Sequence, residues 1–200
     1  MRIGLDFDNT IVCYDKAIAQ LANKYLKLPN DLPREKLAIR SFLRDEGREK
    51  EWSEFQGEIY GPGMSHAEPF EGSVETMLDL NRRSHKLFII SHRTLKPYIG
   101  GSYDLHSAAK KWIDVHLRSV GLFNKYHDDV SFLETREGKL RRIEQLRCDF
   151  FVDDLPEIFQ SSKFPVKTKK ILFNPSITVS VPHNCKHIES WYELSGIVAA

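Results

Sequence analysis

The segment Met1–Thr10 (MRIGLDFDNT) joins a short apolar run to a closely spaced pair of acids. The run itself, Arg2–Asp6 (RIGLD), contains Ile and Leu and ends on the first acid. Similar runs follow along the chain: Lys86–Ser91 (KLFIIS), Val130–Glu134 (VSFLE), Asp149–Asp153 (DFFVD) and Lys169–Asn174 (KKILFN). Short runs rich in Ile, Val, Leu or Phe are typical of the buried strands of a parallel sheet.

Segments with the apolar spacing of helices lie between these runs. Their apolar side chains are Val74, Met77 and Leu78 before the second run, Ala109, Trp112 and Ile113 before the third, and Leu140, Ile143 and Leu146 before the fourth. An alternation of strand and helix is typical of an open sheet with helices on both faces. We therefore predict an α/β fold with a doubly wound, mostly parallel five-stranded sheet.

The interval after the first run is longer than a single crossover helix needs. It extends from about Tyr14 to Pro69 and is rich in helix formers, charged residues and proline. Tyr14–Leu28 and Arg34–Gly57 are predicted to be helical. We expect an α/β core domain of residues 1–13 and 70–200, and a small helical domain of residues 14–69 inserted into it.

Composition narrows the classes of partner. The chain has 200 residues, with 29 Lys and Arg against 28 Asp and Glu, so no excess of charge favours a nucleic acid polymer or an anionic membrane. The cysteines Cys13, Cys148 and Cys185 are odd in number and widely spaced, which argues against a disulfide framework. The residues after Met1 lack the uninterrupted apolar stretch of a signal peptide, and no window has the apolar length of a bilayer span, so we expect neither. We expect a reduced, cytoplasmic protein, and the residues favour no oligomeric state.

Candidate functional residues follow the predicted strands or begin a predicted helix. They are Asp6 and Asp8 after the first run, Ser91 at the end of the second, Lys139 at the start of the helix after the third, and Asp153 with Asp154 at the end of the fourth. Ligands of open α/β sheets bind beyond the carboxyl ends of the strands. Alternate residues of an extended segment face the same side, so Asp6 and Asp8 can share one site.

This set of side chains suits phosphoryl transfer. Converging carboxylates repel one another and require a cation, and oxygen ligands of this kind suit Mg²⁺. Such an ion screens a phosphate dianion and polarises its oxygens. One carboxylate can then attack phosphorus to form an aspartyl-phosphate, while a second protonates the leaving oxygen. Ser91 and Lys139 would hold the phosphoryl oxygens through a hydroxyl and an ammonium.

The order of these motifs resembles that of the haloacid dehalogenase (HAD) superfamily, whose members are mostly Mg²⁺-dependent phosphatases. Asp-Phe-Asp-Asn-Thr is similar to the first motif of that family, Ser91 to the second, Lys139 to the third and Asp153-Asp154 to the fourth. The resemblance covers about residues 1–13 and 70–175. The insertion at 14–69 resembles the family's helical cap of the first type, which closes over the substrate.

The resemblance implies a role for each motif residue. Asp6 is the nucleophile and Asp8 the general acid and base. Mg²⁺ is held by Asp6, the backbone carbonyl of Asp8, and Asp153. Asp154 supports these ligands without binding the ion itself, although the roles of Asp153 and Asp154 can be exchanged. Arg136, Arg141 and Arg142 lie close to Lys139 in sequence and compete with it for the third motif.

Further side chains are candidates for holding the substrate. They are Asn9, Thr10, His92, Arg93 and Arg44. Arg44 recurs with Arg40 and Arg48 at four-residue spacing, so one helical face carries all three and meets either an anionic group or solvent. His183, Cys185 and His187 lack a second ligand cluster, so we do not expect zinc there.

Three functions are compatible with these observations. The first is a phosphatase acting on a small phosphorylated metabolite. The second narrows the substrate to a nucleoside monophosphate, because the acids of the fourth motif are adjacent and the insertion is rich in aromatic residues. The third is a phosphorylation-controlled signalling domain or a non-catalytic HAD scaffold. Receiver domains share the residue types, but their phosphoacceptor Asp follows a middle strand.

Overall fold

A computed structural model describes residues 1–124, 128–175 and 180–199 of the chain. Its contacts divide the chain into two compact units. The first unit comprises Met1–Val12, Pro69–Arg93 and His116–Ala200, and the second comprises Cys13–Glu68 and Thr94–Val115. In the part of the chain that the structure describes, no helix combines the length and the apolar character that crossing a bilayer requires.

The strands form one large sheet and one small one. In chain order they are β1 (Arg2–Leu5), β2 (Val12–Cys13), β3 (Glu68–Pro69), β4 (Lys86–His92), β5 (Val130–Leu133), β6 (Phe150–Asp153), β7 (Lys169–Phe173) and β8 (Cys185–Ile188). Strands β2 and β3 pair with each other. The other six form a sheet in the order β5-β4-β1-β6-β7-β8, and its pairs are parallel.

All five predicted runs are strands of this sheet, which confirms the α/β class. The predicted number of strands is wrong, because β8 is a sixth. Only Ile188 of β8 is fully buried, and the strand lies at the edge with a single neighbour, β7. A polar edge strand lacks the apolar run by which the other strands were found.

The helices fall into two groups. In chain order they are α1 (Asp15–Tyr25), α2 (Lys36–Asp45), α3 (Glu49–Tyr60), α4 (Ser73–Arg82), α5 (Leu105–His116), α6 (Arg136–Gln145), α7 (Pro156–Gln160) and α8 (Tyr192–Ala199), with short 3-10 helices at Pro62–His66 and Arg118–Val120. Helices α4, α6, α7 and α8 belong to the first unit, and α1, α2, α3 and nearly all of α5 to the second.

Helices cover both faces of the large sheet. On one face, Phe151 and Leu172 pack with Ile143 of α6 and Phe159 of α7. Phe173 follows Leu172 and therefore faces the opposite side, where its ring centroid lies 6.0 Å from that of Trp191. Fully burying one side chain of this size contributes about 1.5–3 kcal/mol to the stability of the fold. The strands that carry the site residues are therefore held in a well-packed core.

Close packing at the centre of the sheet requires a glycine. Gly4 of β1 pairs with Phe151 of β6. A Cβ atom at Gly4 would lie 2.6 Å from Cδ2 of Phe151 and 3.1 Å from Sγ of Cys148. Larger residues are therefore excluded, and the Phe151 ring packs directly against the β1 backbone. This contact aligns β1, which Asp6 follows, with β6, which ends at Asp153.

The second unit is helical. The helix predicted at 14–28 is α1, whereas the segment predicted as helical over 34–57 contains two helices, α2 and α3. Gly47 has a φ of 68°, which ends α2 at little steric cost. The aromatic rings of the insertion pack among themselves, with centroids 4.9 Å apart for Tyr14 and Tyr60 and 6.2 Å apart for Trp52 and Phe55.

The second unit also includes Thr94–Val115, which the sequence analysis placed with the α/β core. Contacts explain the difference. The indole Nε1 of Trp112 donates to the carbonyl of Ala67 at 2.8 Å, and the hydroxyl of Tyr103 donates to Oε1 of Glu58 at 2.5 Å. The segment after β4 is thus attached to the inserted helices, a contact that no local sequence pattern reports.

Candidate active site

Three charged side chains meet where β1 and β6 end. Asp6 follows β1, Asp153 is the last residue of β6, and the amide of Asp6 donates to the carbonyl of Val152 at 2.9 Å. The ammonium Nζ of Lys139 lies 2.6 Å from Oδ1 of Asp6 and 2.6 Å from Oδ2 of Asp153. All three side chains are buried. The structure therefore brings together one residue from each of three sequence motifs.

The order of the strands accounts for this meeting point. From β1 the chain adds β4 and β5 on one side, and then returns to add β6, β7 and β8 on the other. Strands β1 and β6 are adjacent at this reversal, which is where open α/β sheets bind their ligands. Asp6 and Asp153 stand at the carboxyl ends of these two strands.

Helix α6 directs Lys139 towards the strand ends. The hydroxyl of Thr135 caps the helix by accepting from the amide of Gly138 at 3.0 Å, and Lys139 lies in the first turn. The competing arginines are engaged elsewhere or exposed. Arg136 pairs with Glu157, Arg142 donates to the hydroxyl of Ser131, and Arg141 is exposed. The geometry thus favours Lys139 for the third motif.

Burial dominates the electrostatics of this cluster. Burial raises the pKa of Asp6 to about 7, opposed by the nearby Lys139 and assisted by the charges of Asp153 and Asp8. Burial alone would lower the pKa of Lys139, but the carboxylates of Asp153 and Asp6 outweigh it and raise that pKa. Lys139 is therefore a permanent cation, whereas Asp6 depends on nearby positive charge to remain ionised.

Asp8 pairs with an arginine that the sequence analysis assigned to the substrate. Nη1 of Arg93 lies 2.5 Å from Oδ1 of Asp8. The guanidinium carbon is 5.8 Å from the ring centroid of Phe7, and the amide of Arg93 donates to the carbonyl of Leu133 at 2.8 Å. Arg93 is buried, whereas Asp8 is partly exposed. No local sequence pattern indicates this pair, because the partners are 85 residues apart.

Ser91 and His92 end strand β4, next to β1 and β5. Ser91 is buried. Nε2 of His92 lies 3.2 Å from the carbonyl of Glu134, so this ring nitrogen is engaged with the backbone. Burial lowers the pKa of His92; the Glu134 contact opposes this shift and the charge of Lys139 adds to it. A role for His92 in substrate binding stays a prediction.

The loop after Asp8 turns back sharply. Asn9 has a φ of 57°, a left-handed conformation that Asn tolerates better than most residues. Thr10 is completely buried, and its carbonyl accepts from Nε1 of Trp191 at 2.9 Å. The predicted contact of Thr10 with the substrate stays a prediction. Trp191, 181 residues away, was missed because no sequence pattern connects them.

Arg44 belongs to the second unit, on α2. Its Nε lies 3.4 Å from Oε2 of Glu49, and both side chains are exposed. Arg40 is exposed as well, while Arg48 pairs with Glu51 and donates to the carbonyl of Lys27. The predicted contact of Arg44 with the substrate stays a prediction.

A metal ion fits the acidic cluster. One carboxylate oxygen from each of Asp6, Asp153 and Asp154 lies within 4.8 Å of the other two. With Asp8, the site has four acidic side chains and two basic ones, Lys139 and Arg93. Oxygen donors with an excess of negative charge suit a hard divalent cation such as Mg²⁺. Asp154, predicted to stand behind the ligands, is close enough to be one.

Comparison with known proteins identifies the fold. No family model matches the sequence. A curated Bacillus cereus protein named "Putative nucleotidase" is 25% identical over 209 residues, covering 99% of this chain and 98% of that protein.

Solved structures give a consistent result. A HAD-superfamily hydrolase of subfamily IA from Geobacter sulfurreducens has a TM-score of 0.60 at 15% identity, covering 98% of this chain and 95% of the other. The HAD-hydrolase YfnB from Bacillus subtilis, bound to magnesium, has a TM-score of 0.58 at 16% identity over 100% of this chain and 98% of its own. A predicted phosphatase from Clostridium acetobutylicum has a TM-score of 0.58 at 14% identity, covering 99% and 97%. The chain has the fold of the HAD superfamily, which confirms the resemblance drawn from the motifs.

Proposed function

We propose that this protein is a Mg²⁺-dependent phosphatase that hydrolyses a small phosphorylated metabolite through an aspartyl-phosphate. The observation that carries the proposal is the buried cluster of Asp6, Lys139 and Asp153, in which Nζ of Lys139 lies 2.6 Å from a carboxylate oxygen of each acid. The HAD fold and the similarity to a protein named as a nucleotidase support a hydrolase of phosphate esters over a signalling domain or an inactive scaffold.

Asp6 is the nucleophile in this proposal. Lys139 holds Oδ1, which leaves Oδ2 to attack phosphorus. Asp6 must be ionised to attack, and Lys139 supplies part of the positive charge that its burial requires. A Mg²⁺ ion held by Asp6, Asp153 and Asp154 would add further positive charge and polarise the phosphoryl oxygens. Lys139 therefore acts on the carboxylates, and Ser91 is the better candidate for a direct hydrogen bond to the phosphoryl group.

Asp8 transfers a proton in each of the two proposed steps. As the bond from Asp6 to phosphorus forms and the ester bond breaks, Asp8 gives its proton to the leaving oxygen, which departs as an alcohol. Asp8 then takes a proton from the water that attacks the aspartyl-phosphate. Inorganic phosphate leaves, and Asp6 is restored as a carboxylate. The products are one alcohol and one phosphate for each ester and water consumed.

Substitution of the nucleophile tests this proposal. Wild type is expected to hydrolyse p-nitrophenyl phosphate in the presence of Mg²⁺, and Asp6→Asn to lose at least about 10³-fold in kcat. Asp79→Asn is the matched control, because Asp79 lies on α4 and pairs with Arg83 at 2.8 Å. The control should retain full activity. Equal rates for wild type and Asp6→Asn would overturn the proposal.

A nucleoside monophosphate is a narrower candidate substrate. It is favoured by the Bacillus cereus relative, whose similarity extends over 99% of this chain. A panel of nucleoside monophosphates, sugar phosphates and amino-acid precursors, assayed with and without Mg²⁺, tests it. A clear preference in kcat/KM for the nucleotides would support this substrate class, and a preference for sugar phosphates would exclude it.

A further inference from the structure

We propose that Arg93 is a positioning residue that holds the carboxyl group of Asp8, and that it does not bind the substrate. This inference rests on the proposed phosphatase function and refines it. The sequence alone assigned Arg93 to the substrate, because a basic residue just beyond a strand end often meets an anionic ligand. The contacts of its side chain indicate a different partner.

Burial is the first observation. Only 3% of the Arg93 side chain is exposed, whereas 19% of the Asp8 side chain is exposed. The Arg93 guanidinium therefore presents little of its planar donor edge to a ligand. Nη1 of Arg93 instead lies 2.5 Å from Oδ1 of Asp8. The acid, and not the arginine, is the accessible member of the pair.

The surroundings of Arg93 restrain it from two sides. Its amide donates to the carbonyl of Leu133 at the end of β5, which fixes the backbone. Its guanidinium carbon is 5.8 Å from the centroid of the Phe7 ring, and Phe7 in turn makes an edge contact with Phe132 at 5.5 Å. A planar guanidinium on an aromatic ring has few alternative orientations, so its hydrogen bond fixes the direction of the carboxyl group.

This arrangement predicts a dependence on the leaving group. A general acid contributes most when the leaving oxygen is strongly basic, and little when the leaving group departs readily as an anion. Phenolate is more basic than p-nitrophenolate. If Arg93 acts through Asp8, loss of Arg93 should slow the hydrolysis of phenyl phosphate much more than the hydrolysis of p-nitrophenyl phosphate. If Arg93 binds the phosphoryl group, both esters should be slowed equally, because both contain the same phosphate.

The experiment compares Arg93→Gln and Arg93→Lys with wild type on these two esters in Mg²⁺. We expect Arg93→Gln to lower kcat/KM for phenyl phosphate about tenfold more than kcat/KM for p-nitrophenyl phosphate, because kcat/KM reports the step in which the ester bond breaks. Arg93→Lys keeps the charge without the planar group and should show a smaller effect in the same direction. Arg83→Gln, which removes an exposed arginine paired with Asp79, should match wild type on both esters.

A double-mutant cycle separates action through Asp8 from a merely structural effect. In the Asp8→Asn background, Arg93→Gln should change the ratio of the two rates no further, because the acid is already absent. Thermal unfolding of each variant checks that it is folded, and Arg93→Lys provides the measurement if Arg93→Gln is not. Equal losses of kcat/KM on both esters would overturn this proposal alone. A wild type inactive on both esters would overturn the phosphatase proposal and this one with it.

Discussion

The buried ion pairs at the strand ends of the first unit contrast with the exposed ion pairs on the helices of the second unit. In the first unit, Lys139 is paired with Asp6 and Asp153 and only 2% of its side chain is exposed. In the second unit, Arg44 is paired with Glu49 and 56% of its side chain is exposed. Arg48 and Lys50 form similar pairs along α3, and their partners Glu51 and Glu54 are partly exposed.

This difference in burial separates the chemistry of the two units. Exposed pairs gain little, because water screens both charges and long side chains lose freedom. Buried charges are costly to desolvate, and removing one partner leaves the other uncompensated. The Lys139 cluster therefore needs every one of its charges, as expected of a site that binds and transforms a charged ligand. The exposed pairs on the helices of the second unit are expected to contribute little to folding.

The largest expected effect is on the stability of the first unit. Lys139→Met keeps the volume of the side chain but leaves Asp6 and Asp153 buried without their shared cation. We expect the metal-free variant to lose about 3–5 kcal/mol of unfolding free energy, measured by urea denaturation. Lys163→Met is the control, because Lys163 pairs with Glu137 at 3.0 Å on the surface. A urea midpoint of Lys139→Met equal to that of Lys163→Met would contradict the expected difference between buried and exposed ion pairs.

The pH dependence of stability gives the next effect. Because burial raises the pKa of Asp6 from 3.8 to about 7, the folded state binds this proton more tightly than the unfolded state. The resulting stabilisation is fully present below about pH 4 and is lost as the pH rises through about 7. In EDTA, the unfolding free energy of wild type should fall more steeply between about pH 4 and about pH 7 than that of Asp6→Asn. Parallel curves for the two proteins would show that the Asp6 environment is not as described.

Much of the site could be predicted because most of the candidate residues end or directly follow the apolar runs that form strands. Runs such as Lys86–Ser91 end on polar residues, and parallel strands bring such ends together. What could not be predicted depends on contacts between distant segments. The pairing of Asp8 with Arg93 requires the ends of β1 and β4 to be placed to within an ångström, and the burial of Thr10 requires Trp191.

Metal binding should relieve the repulsion in the buried cluster. Oδ1 of Asp153 accepts from the amide of Leu155 at 3.0 Å and Oδ2 lies against Lys139, whereas Asp154 is less buried. We therefore expect Mg²⁺ to raise the Tm of wild type, and Asp154→Asn to require roughly tenfold more Mg²⁺ for the same rise. In EDTA the Tm of Asp154→Asn should stay close to that of wild type, whereas Asp153→Asn should differ from wild type in both conditions. If Asp154→Asn needs no more Mg²⁺ than wild type for the same rise in Tm, the ligand is Asp153 and not Asp154.

The smallest effect is expected in the second unit, and it tests the other half of the comparison. Arg44→Gln removes an exposed pair with Glu49, so the urea midpoint should not change. Any effect on activity must then arise from the substrate. If Arg44 meets an anionic group of the preferred phosphate ester, KM should rise by about two- to fivefold at constant kcat. Lys50→Gln, on α3, is the matched control and should leave both constants unchanged. A lower urea midpoint for Arg44→Gln would mean that an exposed ion pair stabilises this unit. Burial would then not distinguish the ion pairs that contribute to stability from those that do not.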